Sequence, residues 1–397
     1  MMLKQCEVVG ELPKKGKFLK IFEWTDVDCG KLKNVKAIGD IVHFIGSQFY
    51  VRKEVLCVLE NFRKIYQSEF DSGEMVYKQF VLMGSPGTGK SCILALLCFF
   101  IAIKVKRPVL WLRQDKRGKV GGTTTRLFYQ GKYYEWKDPE GTMYRSIYDA
   151  LNNTVSDTNA SWCVLDGLDK RDIKDRKWFD KFTLLATSGQ FPPNSVPVHF
   201  FRLCLVPYWK QSDLEEFGRK HMQIEESDVD ARLFVSAGSL GKFLDDDAEA
   251  TVKPAIDRIK KPEDAEILLT KYRLSGNMQN DHVRMRGVYD RNNADHYVDV
   301  GEWIGCVTSK LVLHHLAAMM KPNFFEELMR IARGVNDDRL EDITFEAYFH
   351  SLVYHRRSMC VEYCKYDNVN RETVNNWENN LHADVGSIEW KELSVVE

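Results

Sequence analysis

Apolar residues recur at helical spacing through Glu54–Phe70, at Val55, Leu56, Leu59, Phe62, Ile65 and Tyr66. That spacing predicts an amphipathic helix. Short apolar runs follow at Phe80–Met83, Pro108–Leu112, Trp162–Leu165, Phe182–Ala186 and Val198–Leu205. Each predicts a buried strand. Cys92–Lys104 is apolar on nearly every face, which predicts a helix enclosed on all sides, as beside a parallel sheet. Leu127–Gln130 and Tyr133–Trp136 flank Gly131-Lys132, a hairpin signal. Met143–Leu151 predicts another helix, and Ile41–Val51 reads as a strand or an extended lead-in. Strands alternating with helices indicate an α/β layered domain with a mainly parallel sheet. Past the acidic stretch Asp245–Glu249, Ala255–Leu274 and Ser309–Arg333 predict helices, and the tail after Asn336 is mixed, with a strand-like Met359–Tyr366. The expected organisation is an N-terminal segment (1–48), an α/β domain (49–245) and a mostly helical or mixed C-terminal region (246–397).

Composition narrows this picture. An apolar fraction of 44% over 397 residues is enough for a sizeable core. With 56 basic against 57 acidic side chains, no global field draws the chain to nucleic acid. The 10 cysteines are scattered, and none makes a C-x-x-C pair. Cys360 and Cys364 lack a second pair at zinc-site spacing. Free thiols imply a reducing, intracellular compartment. The apolar run Cys92–Ile103 is shorter than the ~20 residues a membrane helix needs, so no membrane partner is expected.

The chemistry enters at Gly84-Ser85-Pro86-Gly87-Thr88-Gly89-Lys90-Ser91, a full match to G-x-x-x-x-G-K-[ST]. Glycines there let backbone N–H groups turn inward around phosphate oxygens. Lys90 supplies a positive charge at the β- and γ-phosphates, the Ser91 hydroxyl ligates Mg²⁺, and the following helix offers its positive end to the same anion. Such a loop needs an acid at the end of a neighbouring strand, and Trp162-Cys163-Val164-Leu165-Asp166 provides one in Asp166. No acid follows Asp166 directly, and Asp169 is the nearest group able to orient or deprotonate water. Leu184-Leu185-Ala186-Thr187-Ser188 ends a strand in hydroxyls, so Thr187 or Ser188 is the expected γ-phosphate sensor. Arg113 and Arg126 are both candidates for an arginine at the leaving phosphate, and sequence does not choose between them.

With these motifs placed, the chain resembles the NTPase region of Crinkler effectors, relatives of the retrotransposon hot spot proteins. The likeness runs in order through Phe49-Tyr50-Val51-Arg52-Lys53, VLMGSPGTGKS, VLWLR, LFYQGKYYEW, VLDG, Leu205-Val206-Pro207-Tyr208-Trp209 with Asp213-Leu214, Ala237-Gly238-Ser239, and Phe345-Glu346-Ala347-Tyr348-Phe349-His350. It covers roughly residues 45 to 350. Where that family carries a Gly-Gly pair and then an arginine, this chain has Ala237-Gly238 and then Gly241-Lys242. Asp166-Gly167-Leu168-Asp169 also resembles the D-G-L-D-E signature of NACHT-type signalling ATPases, with Lys170 in the last place. The two resemblances imply a P-loop NTPase of AAA/STAND-like fold that takes ATP and Mg²⁺. The first also implies secretion followed by action in a host cell nucleus, on a host protein or DNA.

Three functions follow. One is a slow ATPase or switch binding ATP and ADP. Another is a nucleotide-binding scaffold with negligible turnover. The third is a DNA-acting effector using the mixed but basic cluster Lys170, Arg171, Lys174, Asp175, Arg176 and Lys177. Asp384 with Glu389-Trp390-Lys391 echoes a nuclease string, but its acids are too close together and it reads as an acidic tail.

Overall fold

A computed structural model of the chain describes residues 6–14, 16–72, 79–115, 122–154, 161–168, 183–187, 201–236, 238–270, 283–334, 338–355, 359–366 and 383–390. The chain divides into two compact units. The first comprises Met1–Arg258 with Thr270–Lys310, and the second Ile259–Leu269 with Leu311–Glu397.

The first unit opens with β1 (Val8–Glu11), β2 (Leu32–Asn34), α1 (Lys36–Val42), β3 (Gln48–Tyr50) and α2 (Lys53–Ser72). Next come β4 (Gln79–Met83), α3 (Lys90–Phe100), β5 (Val109–Asp115), β6 (Gly122–Tyr129), β7 (Lys132–Lys137) and α4 (Thr142–Thr154). β8 (Trp162–Asp166), β9 (Leu184–Thr187) and β10 (Phe201–Leu205) complete an eight-stranded sheet. Four short helices follow: α5 (Gln211–Glu216), α6 (Glu226–Ser236), α7 (Leu240–Phe243) and α8 (Ala248–Ile256). The unit closes with the antiparallel pair β11 (Met285–Val288) and β12 (Trp303–Cys306).

The sheet runs β1-β7-β6-β5-β8-β9-β4-β10. From β5 to β10 every pairing is parallel, while β6, β7 and β1 add antiparallel at one edge. The fold is therefore α/β with a mixed, mostly parallel sheet. Every residue of β4, β8 and β9 is buried, as their apolar runs, polar only at one end, require when both faces are covered. α3 buries Ile93 through Phe99 without interruption for the same reason.

Several expectations shift. Ile41–Val51 is not one extended piece. Ile38, Ile41 and Val42 lie at helical spacing and are buried in α1, which ends at His43 with φ 59°, and only Gln48–Tyr50 is a strand. The hairpin turns at Gln130-Gly131, one residue earlier than expected. Both residues have positive φ (49° and 76°), the signature of the turn that matches strand twist.

In the second unit lie α9 (Pro262–Thr270), α10 (Lys310–Met319), α11 (Pro322–Gly334) and α12 (Asp338–Tyr354), then an antiparallel pair, β13 (Met359–Tyr366) with β14 (Ala383–Trp390). The helical stretches expected over Ala255–Leu274 and Ser309–Arg333 are each divided, and residues 271–274 lie outside the described residues. Pro262 and Pro322 occupy first helical positions, where the missing N–H costs nothing and the ring blocks continuation from the preceding turn. Among the described residues no helix is long and apolar enough to cross a membrane.

Candidate functional site

The loop between β4 and α3 sits in the middle of the parallel strands. β4 pairs with β10 on one side and β9 on the other, and β9 in turn pairs with β8. Gly87 and Gly89 have φ of +78° and +96°, which side-chain-bearing residues rarely adopt. A Cβ on Gly84 would lie 2.3 Å from the Val206 carbonyl, and one on Gly87 2.0 Å from Ser239 Oγ. These glycines are thus fixed by close packing as well as by loop curvature. The Lys90 ammonium donates to the Gly84 and Ser85 carbonyls at 2.8 and 2.7 Å, curled over the loop where phosphate oxygens would compete for it.

The loop is braced from three directions. Thr88 Oγ1 donates to the Ser85 carbonyl (3.0 Å). The Arg286 N–H, from β11, donates to Ser85 Oγ (3.1 Å). Ser239 Oγ donates to the Pro86 carbonyl (3.1 Å) and accepts from the Lys242 N–H (3.3 Å), capping α7.

Asp166 ends β8 and is 1% exposed. The Ser91 hydroxyl donates to its Oδ1 (2.8 Å), and Arg113 Nη1 donates to its Oδ2 (2.6 Å). β5 and β8 are in register at Arg113 and Asp166, which places the guanidinium there. Arg113 also lies over the Phe44 ring, 3.5 Å from its centroid. A hydroxyl and a carboxylate at contact distance beside the loop form an all-oxygen donor set, the kind that suits Mg²⁺. Gly167 follows with φ +76°, and a Cβ there would lie 2.2 Å from the Gln114 carbonyl. The position after Asp166 therefore admits glycine alone. Thr187 Oγ1 donates to the Leu168 carbonyl (3.2 Å), joining the end of β9 to the turn behind Asp166.

A buried charge network lies behind the loop. Arg52 is 2% exposed. Its Nη2 donates to the Thr88 and Pro207 carbonyls (2.8 and 3.1 Å), and its guanidinium covers Trp209. Glu54 pairs with Arg52 (3.7 Å) and Arg291 (2.7 Å). Arg291 Nη1 also donates to the Tyr208 carbonyl (3.0 Å). Burial pushes the Glu54 carboxyl up, but the two guanidinium groups outweigh it and hold the pKa below its ordinary value.

The structure thus brings together Gly84, Ser85, Pro86, Gly87, Thr88, Gly89, Lys90, Ser91 and Asp166, with Thr187 on the intervening strand. Asp169, Ser188 and the basic stretch 170–177 lie outside the described residues. Arg126 is engaged by Glu135 (2.6 Å) on the antiparallel side of the sheet. Sequence reasoning missed the roles of Arg52, Glu54, Arg291 and Ser239. The one signal available was the run of charges in Arg52-Lys53-Glu54, straight after the apolar Phe49-Tyr50-Val51.

No family model matches the chain, and no curated protein matches it. Among solved structures it is distantly similar to a Signal Transduction ATPase with Numerous Domains (STAND) protein with a tetratricopeptide repeat sensor from Pyrococcus horikoshii. The identity is 10% and the TM-score 0.27, over 83% of this chain and 50% of that one. This chain thus spans half the length of that protein.

Proposed function

We propose that this protein binds ATP with Mg²⁺ at Gly84–Ser91 and hydrolyses it slowly, as a nucleotide-driven switch. One observation carries the reading. The Ser91 hydroxyl and the Asp166 carboxylate meet at 2.8 Å beside the Lys90 loop, the pairing a loop-bound nucleotide–Mg²⁺ complex needs. Lys90 would hold the β- and γ-phosphates, Ser91 and Asp166 the metal shell, and Thr187 or Ser188 would sense the γ-phosphate. Mg²⁺, once bound, supplies charge neutralisation at the phosphates.

Slowness follows from Gly167, which leaves no side chain directly behind Asp166. Asp169 is the remaining residue proposed to orient water. The bond from Arg286 to Ser85 favours a switch, because it couples the loop to the segment beyond residue 246. We assign nucleotide binding to residues 49–245 and the output to 246–397. The shared motif order supports a role within a Crinkler-like effector, with a host protein or DNA as the further partner. The Gly167 geometry also favours a second reading, a scaffold that holds ADP or ATP with negligible turnover.

The test is thermal unfolding with ATP, ADP and GTP, with and without Mg²⁺, beside single-turnover phosphate release. Binding must raise the melting temperature, and Lys90→Ala must abolish the rise. If nucleotide binds while wild-type release is no faster than that of Lys90→Ala, the scaffold replaces the ATPase. DNA that shifts neither stability nor mobility at low salt removes the DNA-acting role.

A further inference from the structure

Away from the phosphate loop, the second unit brings three metal-ligand side chains together. His314 stands on α10, and Glu346 and His350 stand on α12. One donor atom from each lies within 4.8 Å of the other two. His314 Nε2 is 3.5 Å from Glu346 Oε1. The His314 and His350 rings approach to 3.3 Å between centroids, with their planes 38° apart.

The helices aim these groups at one another for local reasons. Glu346 and His350 are four residues apart, so they share one face of α12. Ala347, 1% exposed, packs inward beside that face. Ser351 Oγ donates to the Met320 carbonyl (2.6 Å), just past the end of α10. Tyr348 donates to Glu326 of α11 (3.0 Å). The rotation of α12 is therefore set by bonds outside the cluster.

Two imidazole nitrogens and one carboxylate oxygen form a donor set for a borderline d-block dication, with a position left for water. At zinc–ligand bond lengths, tetrahedral donors stand about 3.4 Å apart. The His314–Glu346 separation already has that value. The remaining separations, all within 4.8 Å, would close by side-chain rotation on metal binding.

We propose that His314, Glu346 and His350 form a site for Zn²⁺, or for Co²⁺ as its spectroscopic substitute, clipping α10 to α12. This site is independent of the nucleotide reading. Its nitrogen donors select against Mg²⁺, which prefers oxygen.

The test uses the full chain, stripped with chelator and titrated with CoCl₂. Expected are visible bands of tetrahedral or five-coordinate cobalt, saturating at one equivalent. No near-ultraviolet thiolate-to-cobalt band should accompany them, Zn²⁺ should displace the cobalt, and millimolar Mg²⁺ should not. Glu346→Gln and His350→Ala should each weaken binding by at least about tenfold, with unchanged far-ultraviolet circular dichroism before metal is added. If those variants do not fold, wild-type protein with alkylated cysteines must still give the same cobalt spectrum. The proposal is overturned by failure of the wild type to saturate at one equivalent, by a thiolate band that alkylation removes, or by an unchanged spectrum in folded His350→Ala.

Discussion

Arg113 Nη1 donates to Asp166 Oδ2 over 2.6 Å while Ser91 donates to the other carboxylate oxygen. The proposed metal-shell acid is thus already neutralised by a cation from the adjacent strand. Removing one partner of a buried ion pair costs about 3–5 kcal/mol. Arg113→Met should therefore lower stability by about that amount in urea denaturation without nucleotide. Added Mg²⁺ with ATP should raise the melting temperature more in this variant than in the wild type, because the metal takes over the guanidinium's role.

Gly167 gives a sharper expectation. Gly167→Ala places a Cβ 2.2 Å from the Gln114 carbonyl at a φ of +76°. Backbone strain of this kind costs about 1–3 kcal/mol, and the clash adds to it. Gly167→Glu writes an acid directly behind Asp166. It should nevertheless lower the melting temperature and fail to speed phosphate release.

Ser239 and Gly87 should behave as a coupled pair. Ser239→Ala removes a helix cap and the bond to the Pro86 carbonyl, a loss of about 1 kcal/mol. Gly87→Ala alone should be far more damaging. Adding Ser239→Gly to Gly87→Ala should recover part of that loss, because the Cβ would otherwise meet Ser239 Oγ at 2.0 Å. Non-additivity in a double-mutant cycle by chemical denaturation checks this.

Glu54 governs acid sensitivity. Its folded pKa is held below the ordinary value of 4.5. The group therefore contributes stability above that value, and the contribution disappears as pH falls through the lower, folded pKa. Glu54→Gln should flatten the pH dependence of unfolding below about 4.5. At neutral pH it should cost about 3–5 kcal/mol, because Arg52 and Arg291 then face each other without a carboxylate.

The strand-loop-helix around Lys90 was legible in the sequence because it is local. An apolar run, a glycine-rich turn and an apolar helix follow one another without a gap. The strands β8 and β9 were equally plain, since burial on both faces leaves polar residues only at their ends, Asp166 and Thr187. Ile41–Val51 misled because α1 holds too few residues to show a period clearly. Arg113 and Arg126 looked alike in sequence. Only the registers of β5 with β8 and of β6 with β7 separate them, giving one to Asp166 and the other to Glu135. The brace from Ser239 joins residues 153 positions apart, and that from Arg286 residues 201 apart. Neither carries a local signal.

The backbone at Gln114 leaves the neighbouring turn no room for anything but hydrogen at Gly167. Under the reading proposed above, an acid placed directly behind Asp166 has no room while the Gln114 carbonyl stays where it is. The end of β5 would have to move first. The limit on turnover would then lie in the β5 backbone as much as in the phosphate loop. A relative with a side chain at position 167 should differ around residue 114.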